Sequence, residues 1–486
     1  MHHGLYRLSF GGLKNFLKRR RVPIFEAARD LNADGFEELL VGAPGAGVES
    51  EGANAGGIFV YSGSNAGFAD TEVLLAGGWP SWSGSDRQGW VIRDIGDFDG
   101  DGYDDLAVVA RKDSRPASST TYDDPEGCLE TLSQTGSLWI HLGSASGISL
   151  TPSFVAFGDW DTGSIYEMIG HFDHNGDGRA DVAFSSKAWN GDRGGLALLY
   201  GRAVSDDGIR VLCGREEYSG GEEFDWLGSS ISSVGDVDGD GCDELAVGAS
   251  GEELSDDWYE QGVVRILWGW GGSGCRPERQ TSSLGVKVVA ARAGTSLAGG
   301  GDVDGDGIPD LVVGVAEYQN YFAELGAIWL VPGWYLRSLS AESHDDETLP
   351  TADEDHWQFM MPPDGLEGSY AVVGTEAGSL FGESVALLPD PVEPDRMAVA
   401  IGVPQGSYGG AQLSGGVGIW RFVDTTTGFE SHPWGMVVGE TQLPGGSLGE
   451  TLAAGSFRGQ PMLLLGAPLS DVGGVIDGGA AYSLSW

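Results

Sequence analysis

Short apolar runs separated by glycine-rich turns recur along the whole chain in a fixed order. Each cycle opens on a segment such as LGSSISSVG (227–235) or AGTSLAGGG (293–301). A turn follows, then an apolar run ending in a GAP-like corner: LLVGAP (39–44), LAVGAS (245–250), LVVGVA (311–316), MLLLGAP (462–468). A glycine-led run comes third: GGIFVYSG (56–63), GSLWIHLG (136–143), GGLALLYG (194–201), GVVRILWG (262–269), GAIWLVPG (326–333). A weaker fourth run leads into the next cycle: TEVLLAG (71–77), PSFVAFG (152–158), GIRVLCG (208–214), GVKVVAA (285–291), YAVVGT (370–375), GMVVGE (435–440). Runs this short, bounded by glycine and rich in branched and aromatic residues, predict strands.

Seven cycles of four strands predict an all-β chain. The expected fold is a seven-bladed β-propeller of four-stranded antiparallel blades, because closing a ring limits exposed sheet edges. It is read as one domain over 1–486, with blades near 22–77, 89–158, 165–214, 227–291, 293–375, 380–440 and 447–486. The last cycle stops after its third strand, GGAAYSLSW (478–486), and an orphan segment, GLYRLSF (4–10), precedes the first. That segment is expected to pair onto the last blade and close the ring; the alternative is a loose leader. Composition agrees with many tight corners: the 82 glycines among 486 residues are well over twice the usual ~7 %.

Five of the turns between first and second strands carry the pattern D-x-[DN]-x-D-G-x-x-[DE]. They start at Asp30, Asp97, Asp173, Asp236 and Asp302, at spacings of 67, 76, 63 and 66 residues. Alternate positions 1, 3 and 5 aim three side chains at one point, glycine at 6 permits the sharp turn, residue 7 offers a carbonyl and the acid at 9 closes the far side. A hard Ca²⁺ ion takes six to eight such oxygens, whereas Mg²⁺ demands stricter geometry and keeps its waters. Without a cation, carboxylates this crowded raise one another's pKa and destabilise the turn. The expected ligands, up to five Ca²⁺ ions in all, are Asp302, Asp304, Asp306, Ile308 and Asp310 in the cleanest loop, and Asp97, Asp99, Asp101, Tyr103 and Asp105 in its match. Asp236, Asp238, Asp240, Cys242 and Glu244 end in glutamate; Asp173, Asn175, Asp177, Arg179 and Asp181 carry one charge fewer. Asp30, Asn32, Asp34, Phe36 and Glu38 carry both changes and are expected to bind weakest. The last two cycles have Asp390 and Phe457 where the first aspartate would fall.

With the Phe381-Gly382 strand start, the acidic loop and the GAP corner, the chain resembles the FG-GAP repeat of integrin α-subunit propellers and bacterial surface proteins. The resemblance implies Ca²⁺ in the loops joining strands one and two, and extracellular binding or adhesion. The FG pair is eroded in most cycles, and no integrin-type leg domains follow.

Charge and the remaining motifs narrow the partners. A formal charge of −45 excludes nucleic acid, which needs basic surface to displace counterions. No apolar run is long enough for a transmembrane helix. The basic start, MHHGLYRLSFGGLKNFLKRRRVP, has no long hydrophobic core and is not a signal peptide. Either the protein is exported from a longer precursor or its true start lies upstream, which fits the secreted or cell-surface location that the repeats imply, or it stays inside the cell. The four cysteines, Cys128, Cys213, Cys242 and Cys275, have no zinc spacing; Cys213–Cys275 is one of the open disulfide pairings. Aromatics expected on the face opposite the acidic loops, Trp82, Trp160, Trp189, Trp226, Trp258, Tyr318 and Tyr321, suit a protein or glycan ligand; plugging the central channel or packing between blades is the competing role. GGSLG (445–449) fits a nucleophile elbow by letter but lacks the strand-turn-helix setting. The expectation is therefore a non-enzymatic, monomeric recognition module. The alternatives are a polysaccharide lyase or hydrolase on the same scaffold, or a purely structural subunit.

Overall fold

The computed structural model describes residues 4–7, 24–27, 30–42, 57–64, 73–76, 88–111, 122–123, 136–157, 165–204, 209–212, 216–253, 262–272, 275–276, 280–285, 292–317, 319–320, 323–339, 371–408, 413–425, 428–438, 447–457, 460–467 and 480–485. Apart from two short helices, α1 (Trp189–Asp192) and α2 (Gly333–Leu339), the regular elements among them are strands.

Most strands pair into four-stranded antiparallel units in chain order; the second is widened to six by two short parallel strands, Ile209–Val211 and Tyr122–Asp123, and Gln319–Asn320 pairs with Ala323–Glu324 in a separate two-stranded ribbon. Sheet one holds Ile24–Ala27, Leu39–Gly42, Gly57–Tyr61 and Val73–Ala76. Sheet two holds Gln88–Gly96, Asp105–Ala110, Ser137–His141 and Phe154–Phe157, and sheet three Glu167–Phe172, Asp181–Ser186, Gly195–Leu199 and Glu216–Ser219. Leu227–Gly235, Glu244–Ala249, Val263–Trp268 and Gln280–Gly285 form sheet four. Sheet five is Ser296–Gly301, Asp310–Val315, Ala327–Val331 and Ala371–Val373, and sheet six Val385–Pro389, Met397–Gly402, Gly416–Thr425 and Gly428–Val438. Sheet seven takes Thr451–Phe457, Gln460–Ala467 and Ala480–Ser485, with Gly4–Arg7 paired antiparallel on its outside from Gly4↔Ser485 to Arg7↔Tyr482. The first strand of each sheet lies against the first strand of the next, and that of sheet seven lies against that of sheet one.

The core is a series of slabs between neighbouring sheets. Leu40 and Ile58 meet Ile92, Leu106 and Val108 between sheets one and two. Ala246, Val264 and Ile266 meet Leu311, Val313 and Trp329 between four and five, and Ala400 and Ile419 meet Leu463 and Leu465 between six and seven. Second and third strands such as Asp105–Ala110 and Ser137–His141 are buried along their whole length. They are covered on both faces, which is why they read as continuous apolar runs instead of alternating ones.

Several strand assignments differ from expectation. The run at 208–214 does not complete sheet three: Ile209–Val211 pairs in parallel with Phe154–Phe157 of sheet two, burying Ile209 and Val211 beside Trp139 and Val155. Glu216–Ser219 takes its place, bonding to Gly195–Leu199. Its acidic letters hide an inward pair, Glu216 and Tyr218, held by a hydrogen bond from the Tyr218 hydroxyl to Glu216 Oε2. In sheet four the last strand is Gln280–Gly285, earlier than the expected 285–291, whose remainder lies outside the described residues. After the third strand of sheet five comes α2, which buries Leu336 and Leu339. The disulfide joins Cys242 to Cys275, not Cys213 to Cys275; Cys213 and Cys128 lie outside the described residues.

Candidate metal centres

All five acidic loops connect first to second strands and share one hydrogen-bond plan. The carboxylate at position 1 folds back over the turn: Asp302 Oδ1 accepts the Gly305 N–H and its Oδ2 the Gly307 N–H at 2.9 Å. Asp97, Asp173, Asp236 and Asp30 receive the position-6 N–H in the same way, at 2.9, 2.7, 3.0 and 2.6 Å. The side chain at position 5 accepts the N–H of residue 7, as Asp306 does from Ile308 and Asp240 from Cys242. Positions 4 and 6 take positive φ, 86° at both Gly305 and Gly307, where a side chain is strained. In the first loop Ala33 holds position 4 at φ 54°.

This plan converges the acids. One carboxylate oxygen from each of Asp302, Asp304 and Asp306 lies within 4.8 Å of the others, and the same holds for Asp97, Asp99 and Asp101, and for Asp236, Asp238 and Glu244. In the first and third loops Asn32 and Asn175 stand at position 3, and their Oδ1 atoms accept the N–H of Asp34 and Asp177. The residues fit a hard divalent cation. Asp304 is almost completely buried, yet its Oδ2 has no hydrogen-bond partner, and a buried carboxylate oxygen left this way is costly without a counter-charge.

Two features of the loops escaped the sequence. The residue at position 2 (Leu31, Phe98, His174, Val237 or Val303) is fully buried, so each loop is pinned by a side chain reaching into the core. The acid at position 9 is a strut as much as a candidate ligand. Asp310 Oδ2 accepts N–H groups from Val303 and Asp304, while Oδ1 accepts that of Gly333, after the third strand. Asp105 does the same with Phe98, Asp99 and Gly143, and Asp181 binds His174 and Gly201. Burial pushes these acids up, Asp310 and Glu38 to about 7, Asp105 and Asp181 to about 8, and Glu244 to about 9. Burial also raises Asp304, to about 6.

Neighbouring loops are stitched together. The N–H at position 8 of one loop donates to the position-1 carbonyl of the previous one: Ala180 to Asp97 at 3.0 Å and Asp243 to Asp173 at 2.9 Å. Met397 of sheet six reaches Asp302 likewise, at 2.8 Å. Between sheets four and five the donor is missing because position 8 is Pro309, which has no N–H. There Arg337 of α2 donates through Nε to the Val237 carbonyl at 2.7 Å.

Sheet six has no acidic pattern, but Asp390 is buried and accepts the N–H groups of Val392 and Glu393. Its partner is a guanidinium: Arg421 Nε lies 2.7 Å from Asp390 Oδ1, and Nη2 lies 3.2 Å from Glu393. In sheet seven the first two strands stay paired as far as Phe457 and Gln460.

Of the aromatics expected on the opposite face, Trp189 opens α1 with its ring against Gly195 and packs on the core between sheets two and three. Trp226 lies under the Arg292 guanidinium, 5.3 Å from its ring centre. Trp82, Trp160, Trp258, Tyr318 and Tyr321 lie outside the described residues. On the same side, Arg111 sits 4.2 Å from the Trp90 ring centre and 4.3 Å from that of Tyr166, a bridge between sheets two and three that no sequence signal marked.

The FG-GAP repeat model matches residues 25–61, 227–267 and 293–331, each segment enclosing one acidic loop. Integrin alpha-4 of Xenopus laevis is 37% identical over 131 residues, 26% of this chain and 10% of that protein. Phosphatidylinositol-glycan-specific phospholipase D of Bos taurus is 29% identical over 219 residues, 42% of this chain and 24% of the relative. The match thus spans about a tenth of the integrin and about a quarter of the phospholipase. Among solved structures, an exotype rhamnogalacturonan lyase aligns over 99% of this chain and 75% of its own, with 12% identity and a TM-score of 0.38.

Proposed function

We propose, from the premise that this is an integrin-like FG-GAP repeat protein, that it is a closed seven-bladed propeller acting outside the cell as an adhesion or ligand-recognition module. Calcium is structural in this reading. The observation that carries it is the convergence of Asp302, Asp304 and Asp306, with a buried carboxylate oxygen left to a cation. A bound ion would be held by positions 1, 3 and 5 of each loop and the position-7 carbonyl, and would supply the positive charge that the turn lacks. The acid at position 9 would then act through the loop frame it braces.

The cyclic contact of first strands and the pairing of Gly4–Arg7 with the last sheet support ring closure. The Cys242–Cys275 disulfide favours an oxidising compartment, where calcium reaches the roughly 10⁻⁴–10⁻³ M at which extracellular modules bind it. The ligand, a protein or a glycan, is assigned to the face opposite the loops. The module is monomeric and does no catalysis, since its clustered carboxylates are committed to backbone N–H groups and to the cation.

Calcium titration by calorimetry tests the metal reading: up to five sites are expected, and absence of binding at millimolar calcium refutes it. A glycan array and a pull-down in calcium buffer test recognition. Turnover of a polysaccharide, abolished by replacing a carboxylate outside the loops, would favour an enzyme instead.

A further inference from the structure

The loop of sheet four differs from the others in one contact. Arg276 Nη2 lies 2.8 Å from Asp238 Oδ2, both side chains being largely buried. Asp238 holds position 3, a candidate cation ligand. Among the described residues, no other acid at positions 1, 3 or 5 is paired with an arginine from outside its own loop. In the loops of sheets two and five, Arg179 and Arg396 stand over the position-4 glycines Gly100 and Gly305. Their ion pairs go elsewhere, to Asp177 and Glu393.

Arg276 is held in place from three sides. Its guanidinium carbon lies 4.5 Å from the Trp268 ring centre, its carbonyl accepts the Gly271 N–H, and the preceding residue, Cys275, is bonded to Cys242. Cys242 is itself position 7 of the same loop. The disulfide therefore ties the segment carrying the guanidinium to the loop whose charge it neutralises.

We propose that Arg276 is an internal competitor for the cation site of sheet four, positioned by the Cys242–Cys275 disulfide. The inference rests on the calcium reading above. An ion entering between Asp236, Asp238 and Asp240 must break a charge-assisted hydrogen bond that is well shielded from water, and Glu244, which lies within reach of Asp236 and Asp238, only partly offsets that loss. This loop is consequently weaker than those of sheets two and five, although its acids are as numerous. Sheet six takes the same device further, with Arg421 on Asp390 and no acidic pattern left.

Tb³⁺ luminescence excited through tryptophan reads this loop, because Trp268 stacks on Arg276 beside it; the site is picked out by its response to Arg276 variants. In the full chain, Arg276→Gln should tighten one Tb³⁺ site about tenfold, the strength of one charged hydrogen bond. Arg276→Lys, which keeps the charge but loses the planar fork, should fall between the two. The gain must vanish on an Asp238→Asn background, since the pair is then already broken. The Cys242→Ser/Cys275→Ser chain should shift in the same direction as Arg276→Gln, and an unchanged affinity there overturns the role of the tether. Equal Tb³⁺ affinity in wild type and Arg276→Gln overturns the competition while leaving the calcium reading intact. No Tb³⁺ binding by any variant overturns both.

Discussion

Sheets five and six stand side by side and meet the same electrostatic problem in opposite ways. Each buries a carboxylate in the turn after its first strand, Asp304 in one and Asp390 in the other. Sheet six carries its own counter-charge, Arg421, delivered from the third strand. Sheet five gathers three acids and leaves an oxygen of Asp304 without a hydrogen-bond partner, a deficit that a bound cation would make good under the calcium reading. A built-in arginine makes a turn indifferent to the medium. A borrowed ion, as proposed for sheet five, would make it a reporter of calcium.

The comparison breaks first under chelation. Each site at tenfold excess of calcium over its Kd contributes about 1.4 kcal/mol, so EDTA should lower the melting temperature by on the order of ten degrees. Calcium should restore it; an unchanged melting curve would put sheets five and six on the same footing. Next in size is Asp310→Ala, which strands the buried N–H groups of Val303, Asp304 and Gly333 and should cost about 4 kcal/mol with or without calcium. Arg421→Ala leaves Asp390 buried and uncompensated, with an expected loss of about 3 kcal/mol that EDTA does not alter in urea unfolding. If that loss grows or shrinks with EDTA, sheet six is not self-sufficient.

Acidity sharpens the contrast. The position-9 acids titrate near 4 when unfolded and at about 7 to 9 in the folded chain. Folding thus favours their protonated form. The stability they support is complete below about pH 4 and is lost as pH climbs through 7 to 9. In EDTA the melting temperature should therefore fall from pH 5 to pH 9, and calcium should flatten the slope by favouring the charged form. The smallest effect is local: Ala33→Gly relieves a left-handed alanine and should stabilise the first loop by about 1 kcal/mol, measurable by urea unfolding.

The repeat itself was plain in the sequence, because glycine corners and apolar runs are local signals and the second and third strands are buried on both faces. The acidic positions were equally plain, being fixed by spacing within nine residues. What sequence could not give were partners chosen across distance. Arg421 meets Asp390 from 31 residues away and Arg276 meets Asp238 from 38, and nothing in either neighbourhood marks the pair. The double duty of Asp310 depends on Gly333, after the third strand. Glu216–Ser219 escapes notice for another reason: its polar letters obscure the inward side of the strand, where Tyr200, Trp270 and Tyr218 all donate to Glu216, while Ile209–Val211 offers a more apolar decoy.

The pairing of Gly4–Arg7 with Ala480–Ser485 also sets a timetable for folding. This seam joins segments separated by almost the whole chain, so its loop-closure entropy is met only once the intervening sheets have condensed. During synthesis Gly4–Arg7 must wait, unmatched, for Ala480–Ser485. Because Gly4 lies opposite Ser485, a force that separates these two residues peels a single antiparallel ladder one pair at a time, so the seam formed last is the first to part.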